Sequence, residues 1–195
     1  MRLEDIKDRV LTDPAAFVAE CDEAYHEKLR GVAKNIAERA TDCPVVLISG
    51  PSGSGKTTSS KLVERYLEEL GLETHAVAMD NYFLPLTDEE KELLARNELD
   101  LESPVRMDAA LLQEHLEAFK DCREVEIPKY HFPTSSRIPG GEVLKRKKGE
   151  VVIFEGIHSL NPQLFGATDD GIDGFPTPRV FVPADGVCSL SWRAA

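Results

Sequence analysis

The stretch Gly50-Pro51-Ser52-Gly53-Ser54-Gly55-Lys56-Thr57 has the spacing G-x-x-x-x-G-K-[ST], and its residue types suit one chemistry. Glycines let the backbone curl so that successive N–H groups point inward at phosphate oxygens. A lysine at the seventh position reaches β- and γ-phosphates, and the hydroxyl after it can ligate magnesium. A helix starting here adds its positive N-terminal end. Residues Gly50 to Thr58 are therefore the candidate site for a nucleoside triphosphate. At average glycine usage such a motif arises by chance in about one chain per hundred of this size. Asp80 is a second candidate, directly after the run THAVAM (74–79). Open α/β sheets bind ligands at the carboxyl ends of their strands, and phosphoryl transfer needs a group that orients or deprotonates the attacking hydroxyl. A loop acid or helix cap would look the same, so position alone leaves both readings open.

The elements that must position these residues follow from periodicity. VVLIS (45–49) reads as a strand buried on both faces. After the glycine-rich loop, Leu62, Val63, Tyr66, Leu67 and Leu70 mark a helix that stops at Gly71. THAVAM reads as a second strand, VVIFE (151–155) as a third and RVFV (179–182) as a last one. Residues 88–96 and 108–120 read as helices. EVEIPKYHF and GEVLKRKK, flanking the turn-rich SSRIPGG (135–141), predict a β-hairpin. Upstream, Leu3, Ile6, Val10 and Leu11 share a helical face. Asp13-Pro14 reads as an N-cap and first helical position, opening a long amphipathic helix to about residue 40 whose task is packing. Strands alternating with helices imply an α/β sandwich around a mostly parallel sheet. Residues 1–43 form a helical extension and 44–195 the main domain. Residues 166–178 read as a loop.

At 195 residues the chain fits one domain with a real core. Its net charge of -12 repels nucleic-acid backbones and anionic membranes, so neither is expected as a partner. No run is long and apolar enough to span a bilayer, and the acidic, h-region-free start is not a signal peptide. Cys21, Cys43, Cys122 and Cys188 lie far apart without metal-ligand spacing and read as reduced thiols of a cytoplasmic protein. The basic run Lys145-Arg146-Lys147-Lys148 reads as a solvated hairpin strand.

GPSGSGKTT, MDNYF (79–83), LDLESPVRMD (99–108), PKYHFPTSSR (128–137) and VVIFEGIHSLNP (151–162) occur in the order seen in uridine kinases. Over residues 44 to 165 the chain resembles that family, and most of all its bacterial branch with the wording EGIH-LNP. The resemblance implies the P-loop NTPase fold, a three-layer α/β sandwich with the hairpin as an insertion. It implies ATP or GTP with Mg2+, the metal held by Thr57 and Glu155. It makes Asp80 the base that accepts the proton of a nucleoside 5′-hydroxyl. Asp108 would hold ribose hydroxyls, although the residue also suits an N-cap. Tyr130 and Phe132 would line the base pocket, although aromatics of a hairpin also suit ordinary packing. Tyr82 joins the substrate set, and Arg137, which ends the motif, suits a phosphate or substrate contact or a plain surface arginine. His158 of EGIH reads as structural.

Two departures from the family pattern stand out. Where many uridine kinases place a pyrimidine-reading histidine, this chain has Ser135. Beyond residue 160 it holds only Arg179 and Arg193, whereas the family continues into an arginine-rich lid. Such arginines can be worth about 10³ to 10⁵ in rate. The ending therefore reads as truncated, with an apolar sheet edge left open to homo-oligomerisation. The expected function is a nucleoside (uridine or cytidine) kinase acting on a small-molecule substrate. The alternatives are a kinase of another small hydroxyl metabolite, such as a sugar phosphate or pantothenate, and a nucleotide-binding module without turnover. An adaptor role without nucleotide is a further reading.

Overall fold

A computed structural model describes residues 3–165, 167–168, 171–172 and 177–183. In chain order its elements are α1 (Leu3–Thr12), α2 (Pro14–Arg39), β1 (Val45–Ser49), α3 (Lys56–Glu69), β2 (Thr74–Ala78), α4 (Asp88–Ala95), α5 (Ala109–Lys120), β3 (Glu124–His131), β4 (Ser136–Lys145), β5 (Val151–Glu155), α6 (Pro162–Phe165), β6 (Ala167–Thr168), β7 (Gly171–Ile172) and β8 (Arg179–Phe181). The loop expected over 166–178 is described only in part. The chain beyond residue 183, with Cys188 and Arg193, lies outside the described residues.

Four strands pair in the order β2-β5-β1-β8, and every neighbouring pair is parallel. All five positions of β1 are buried, as are four of five in β5, which is why both read as unbroken apolar runs rather than alternating ones. Alternate side chains serve opposite faces. Val45, Leu47, Val77, Val152 and Phe154 pack with Leu112, Leu116 and Phe119 of α5 and with the β3–β4 hairpin. Val46, Ile48, Val151, Ile153 and Val180 pack against Leu29, Val32 and Ile36 of α2 and Val63 and Leu67 of α3. Each such fully buried aliphatic side chain contributes about 1.5–3 kcal/mol.

Asp13 caps α2 as its spacing predicted, accepting the Ala16 N–H at 3.0 Å. The C-terminal half of α2 then lies against α3, where polar bonds fix its register. His26 Nδ1 meets the Tyr66 hydroxyl at 2.6 Å, and Tyr25 OH meets Ser59 Oγ at 2.7 Å. Ser59 Oγ in turn donates to the Gly55 carbonyl at 2.9 Å, so this helix reaches the back of the glycine loop through two hydroxyls.

The sequence reading needs correction at three places. The second strand ends at Ala78, and Met79–Tyr82 form a 3₁₀ turn instead of continuing it. The hairpin turn falls at Phe132–Ser135, while most of SSRIPGG lies inside β4. Pro133 suits a tight turn, and Ser135 completes it at φ 48. Pro128 and Pro139 cannot donate to a ladder, so the pairing slips between Ile127 and Lys129 instead of turning there. The third correction concerns the basic run, because Arg146 is buried rather than solvated. Its Nε donates to the Phe119 carbonyl at 2.7 Å and its Nη2 to that of Lys120 at 3.2 Å. Nη1 reaches the carbonyls of Lys147 and Glu150. A guanidinium fork thus satisfies the last carbonyls of α5, where the helix dipole also favours a cation.

At the amino ends of β2 and β5, His75 Nε2 meets Glu150 Oε2 at 2.8 Å. Lys147 adds its backbone N–H at 2.8 Å and its ammonium at 3.1 Å. Burial by itself would raise the Glu150 carboxyl, but these bonds outweigh it and hold the pKa down to about 2.

Equilibrium denaturation of four variants tests these two clusters. Arg146→Ala should cost roughly 2–4 kcal/mol, because it strands buried carbonyls. Arg146→Lys should recover only part of the loss, since an ammonium cannot reproduce the fork. Exposed Lys145→Ala should change stability by less than about 0.5 kcal/mol. Glu150→Gln should lower stability at neutral pH. A depressed carboxylate stabilises above its unfolded value of 4.5 and loses that contribution as pH falls towards 2, so the gap between variant and parent should close over that window.

Candidate active site

At the carboxyl ends of β1, β2 and β5 lies a cavity of about 570 Å³. One side of it is the phosphate loop, represented by Ser52, Gly53, Lys56 and Thr57. The loop can close as tightly as it does because Gly53 and Gly55 take φ values of 73° and 86°, which side-chain-bearing residues rarely adopt. α3 starts at Lys56, directly after this turn, so its first N–H groups face the loop. Lys56 Nζ donates to the Pro51 carbonyl at 3.0 Å. Ser54 Oγ is buried without a hydrogen-bond partner among the described residues.

Thr57 Oγ1 donates to Glu155 Oε2 at 3.2 Å. A hydroxyl and a carboxylate at this spacing are hard oxygen donors of the kind magnesium takes, so this pair fits the metal that the motif implies. The pairing arises from register, since Glu155 sits opposite Ile48 at the end of β1 and so close to the loop that follows.

Asp80 lines the same cavity from the 3₁₀ turn after β2. Its carboxylate is open to solvent through the cavity mouth, yet the surrounding protein still desolvates it and pushes its pKa up. The charges of Lys56 and His158 pull it back, and that of Glu102 pushes it further up. Close approach of the β5 turn to this acid depends on Gly156. A Cβ there would sit 2.9 Å from Met79 Cβ and 3.8 Å from Asp80 Oδ1.

The opposite wall is aromatic. Phe83, Tyr130 and Phe132 all line the cavity, with ring centroids 5.1 Å apart for Tyr130 and Phe132 and 5.8 Å for Phe83 and Tyr130. Asn81 positions this wall by accepting the Tyr130 N–H at 3.2 Å. Phe132 remains 57% exposed, leaving a ring face open to a ligand. Ser135 also lines the cavity.

Three expected substrate residues stand behind that wall. Tyr82 is fully buried, and its hydroxyl meets His115 Nδ1 at 2.9 Å. Burial raises the phenol and lowers the imidazole, so both stay neutral and share one hydrogen bond. This is core packing, and it takes the Tyr82 side chain out of the cavity. Asp108 caps α5 through the Leu111 N–H and pairs with Arg137 Nη1 at 2.9 Å. Arg137 also holds the Phe83 and Tyr82 carbonyls. Neither Asp108 nor Arg137 lines the cavity, and together they brace the turn that carries Asp80 and Phe83.

Some lining residues were not singled out from sequence. Phe83, Leu101, Glu102 and Arg106 all lie inside the MDNYF and LDLESPVRMD segments, which was the available signal. Arg106 is buried and donates to the carbonyls of Leu84 and Leu101, with its guanidinium 5.7 Å from the Phe83 ring.

Comparison with known proteins identifies the family of the chain. The family profile described as Phosphoribulokinase / Uridine kinase family matches residues 45–193. The uridine kinase of Schizosaccharomyces pombe is 32% identical over 148 residues, which cover 75% of this chain and 30% of that protein. The uridine kinase of Pasteurella multocida is 34% identical over 123 residues, 62% of this chain and 55% of the relative. The chain thus spans only part of the length of these relatives. Among solved structures, D-glycerate 3-kinase from Cryptococcus neoformans shares the fold with a TM-score of 0.53 at 20% identity, over 68% of this chain and 52% of that one. The α/β P-loop architecture expected from the motif order is the one these proteins share. Because the profile runs through well over half of its residues, the chain belongs to the phosphoribulokinase/uridine kinase family.

Proposed function

We propose that this chain is a phosphotransferase that moves the γ-phosphoryl group of ATP or GTP to the 5′-hydroxyl of a nucleoside, uridine or cytidine. The observation that carries this reading is one cavity that joins the phosphate loop, the Asp80 carboxylate just beyond a strand end and an aromatic wall. Lys56 and the loop N–H groups hold the β- and γ-phosphates, and α3 adds its N-terminal dipole. The base stacks on Tyr130 and Phe132, an interaction worth about 1–3 kcal/mol in nucleic-acid binders. Asp80 orients the 5′-hydroxyl and takes its proton as the oxygen attacks phosphorus and the bond to the β-phosphate oxygen breaks. Thr57 and Glu155 would hold magnesium, which would neutralise the phosphate charge. Asp108 and Arg137 then act by bracing the Asp80 turn, with ribose contact through Asp108 as the family resemblance implies.

A second reading, a kinase of another small hydroxyl metabolite, is favoured by Ser135. Its side chain folds back toward the Phe132 carbonyl at 3.4 Å and gives the wall a small hydroxyl in place of an imidazole.

The test is ADP release from Mg-ATP with and without a panel of nucleosides. Uridine or cytidine should stimulate it, and Asp80→Asn should reduce the stimulated rate by at least about 10²-fold. ATP bound without stimulation by any nucleoside would sink the reading and favour either the second acceptor class or a nucleotide-binding module without turnover. The base works ionised and burial raises its pKa, so the rate should rise with pH through a limb lying above the ordinary aspartate value of 3.8. Phe132→Ala should raise the nucleoside KM about fivefold or more while leaving the KM for ATP unchanged, as steady-state kinetics would read.

A further inference from the structure

Residues 97–103 carry Leu101 and Glu102 to the cavity, between α4 and the Pro104–Arg106 turn. Little apolar burial holds this segment. No residue of α4 is buried, and Leu101 is 40% exposed. Its hydrogen bonds mostly close on themselves. Asn97 and Glu98 donate to Leu94 and Leu93, while Ser103 and Glu102 donate to Asp100. Arg106 ties the Leu101 carbonyl to the acceptor-side wall. A segment built this way opens at low free-energy cost unless something outside it holds it.

His158 supplies a bond from outside. It sits in the turn after β5, three residues beyond Glu155, and its Nε2 lies 2.5 Å from the Glu102 carbonyl oxygen. A carbonyl only accepts, so Nε2 carries the proton. Gly156 and Ile157, in the same turn, line the cavity beside Glu155. The bond therefore joins the acceptor-side loop to the strand end that delivers the phosphate-side acid.

We propose that His158 is a positioning residue that latches residues 97–103 to the β5 turn, so that the acceptor wall keeps a set spacing from the phosphate loop. The catalytic consequence rests on the kinase reading given above. The latch itself does not.

The experiment uses the full chain with His158→Ala and His158→Gln, the glutamine amide standing where Nε2 does. Amide hydrogen exchange in the peptide covering 97–103 should accelerate about tenfold in the alanine variant and return towards the parent rate in the glutamine variant. Peptides covering β5 should stay protected in both. Unchanged exchange over 97–103, or equal loosening of β5, would overturn the latch. In turnover, His158→Ala should raise the acceptor KM severalfold and leave the ATP KM within about twofold, with His158→Gln recovering most of the loss. If both KM values rise together, the residue serves general stability and the positioning role falls. Should the parent chain phosphorylate no nucleoside, the kinase reading fails while the exchange result still decides the latch.

Discussion

The parallel pairing of β1 with β5 is the constraint on which everything else depends. Its register sets Ile48 opposite Glu155, so one strand feeds the glycine loop just where its neighbour presents a carboxylate. Both strands are buried on both faces and have no freedom to slip, because a shift of one residue would exchange the two sets of side chains that feed separate cores. The 3.2 Å contact between Thr57 and Glu155 is therefore a product of core packing. Parallel pairing of β2 with β5 then brings the turn bearing Asp80 to the same edge, with Ala78 opposite Glu155.

Charge sets the second condition. The chain carries -12 overall, and its cavity gathers Asp80, Glu102 and Glu155 around Lys56 and Arg106. Placing a polyphosphate there would add like charge to an already acidic protein. Besides Arg106 on the far wall, the positive ends beside the loop are Lys56 and the α3 N-terminus, and a divalent cation at Thr57 and Glu155 fits the same need. The long α2 contributes indirectly, since Tyr25 and Ser59 connect it to Gly55 and hold the back of the loop.

Much of this was legible in sequence where local signals and global packing agree. The phosphate loop, the strands VVLIS and VVIFE, the Asp13 cap and the Asp80 position each have short-range causes. What was not legible depends on contacts distant in the chain. Arg146 looked like one of four solvated cations, and only the proximity of the α5 C-terminus makes it a buried cap. The hairpin turn falls at Phe132–Ser135, and the two prolines in opposed strands leave only a register slip where SSRIPGG read as a turn, a pairing that no single-strand pattern records. Tyr82 sat in a segment expected to bind substrate, but the 3₁₀ turn points it into the core beside His115, while its neighbours Asp80 and Phe83 reach the cavity. A motif marks a segment. The turn geometry decides which of its side chains faces the ligand.

Asp108 shows how a residue expected to meet substrate serves the structure first. Its Oδ1 accepts the Leu111 N–H, and its Oδ2 accepts Arg137, which also grips the Tyr82 and Phe83 carbonyls. Each carboxylate oxygen has two lone pairs, so these bonds leave acceptor capacity on both. Ribose hydroxyls could therefore be added without breaking the cap, provided the ligand reaches behind the aromatic wall. The converse does not hold, because losing the cap would free Arg137 and with it the carbonyls that shape the Asp80 turn. The structural role is thus the prior one, and any substrate contact through Asp108 inherits its geometry from helix capping.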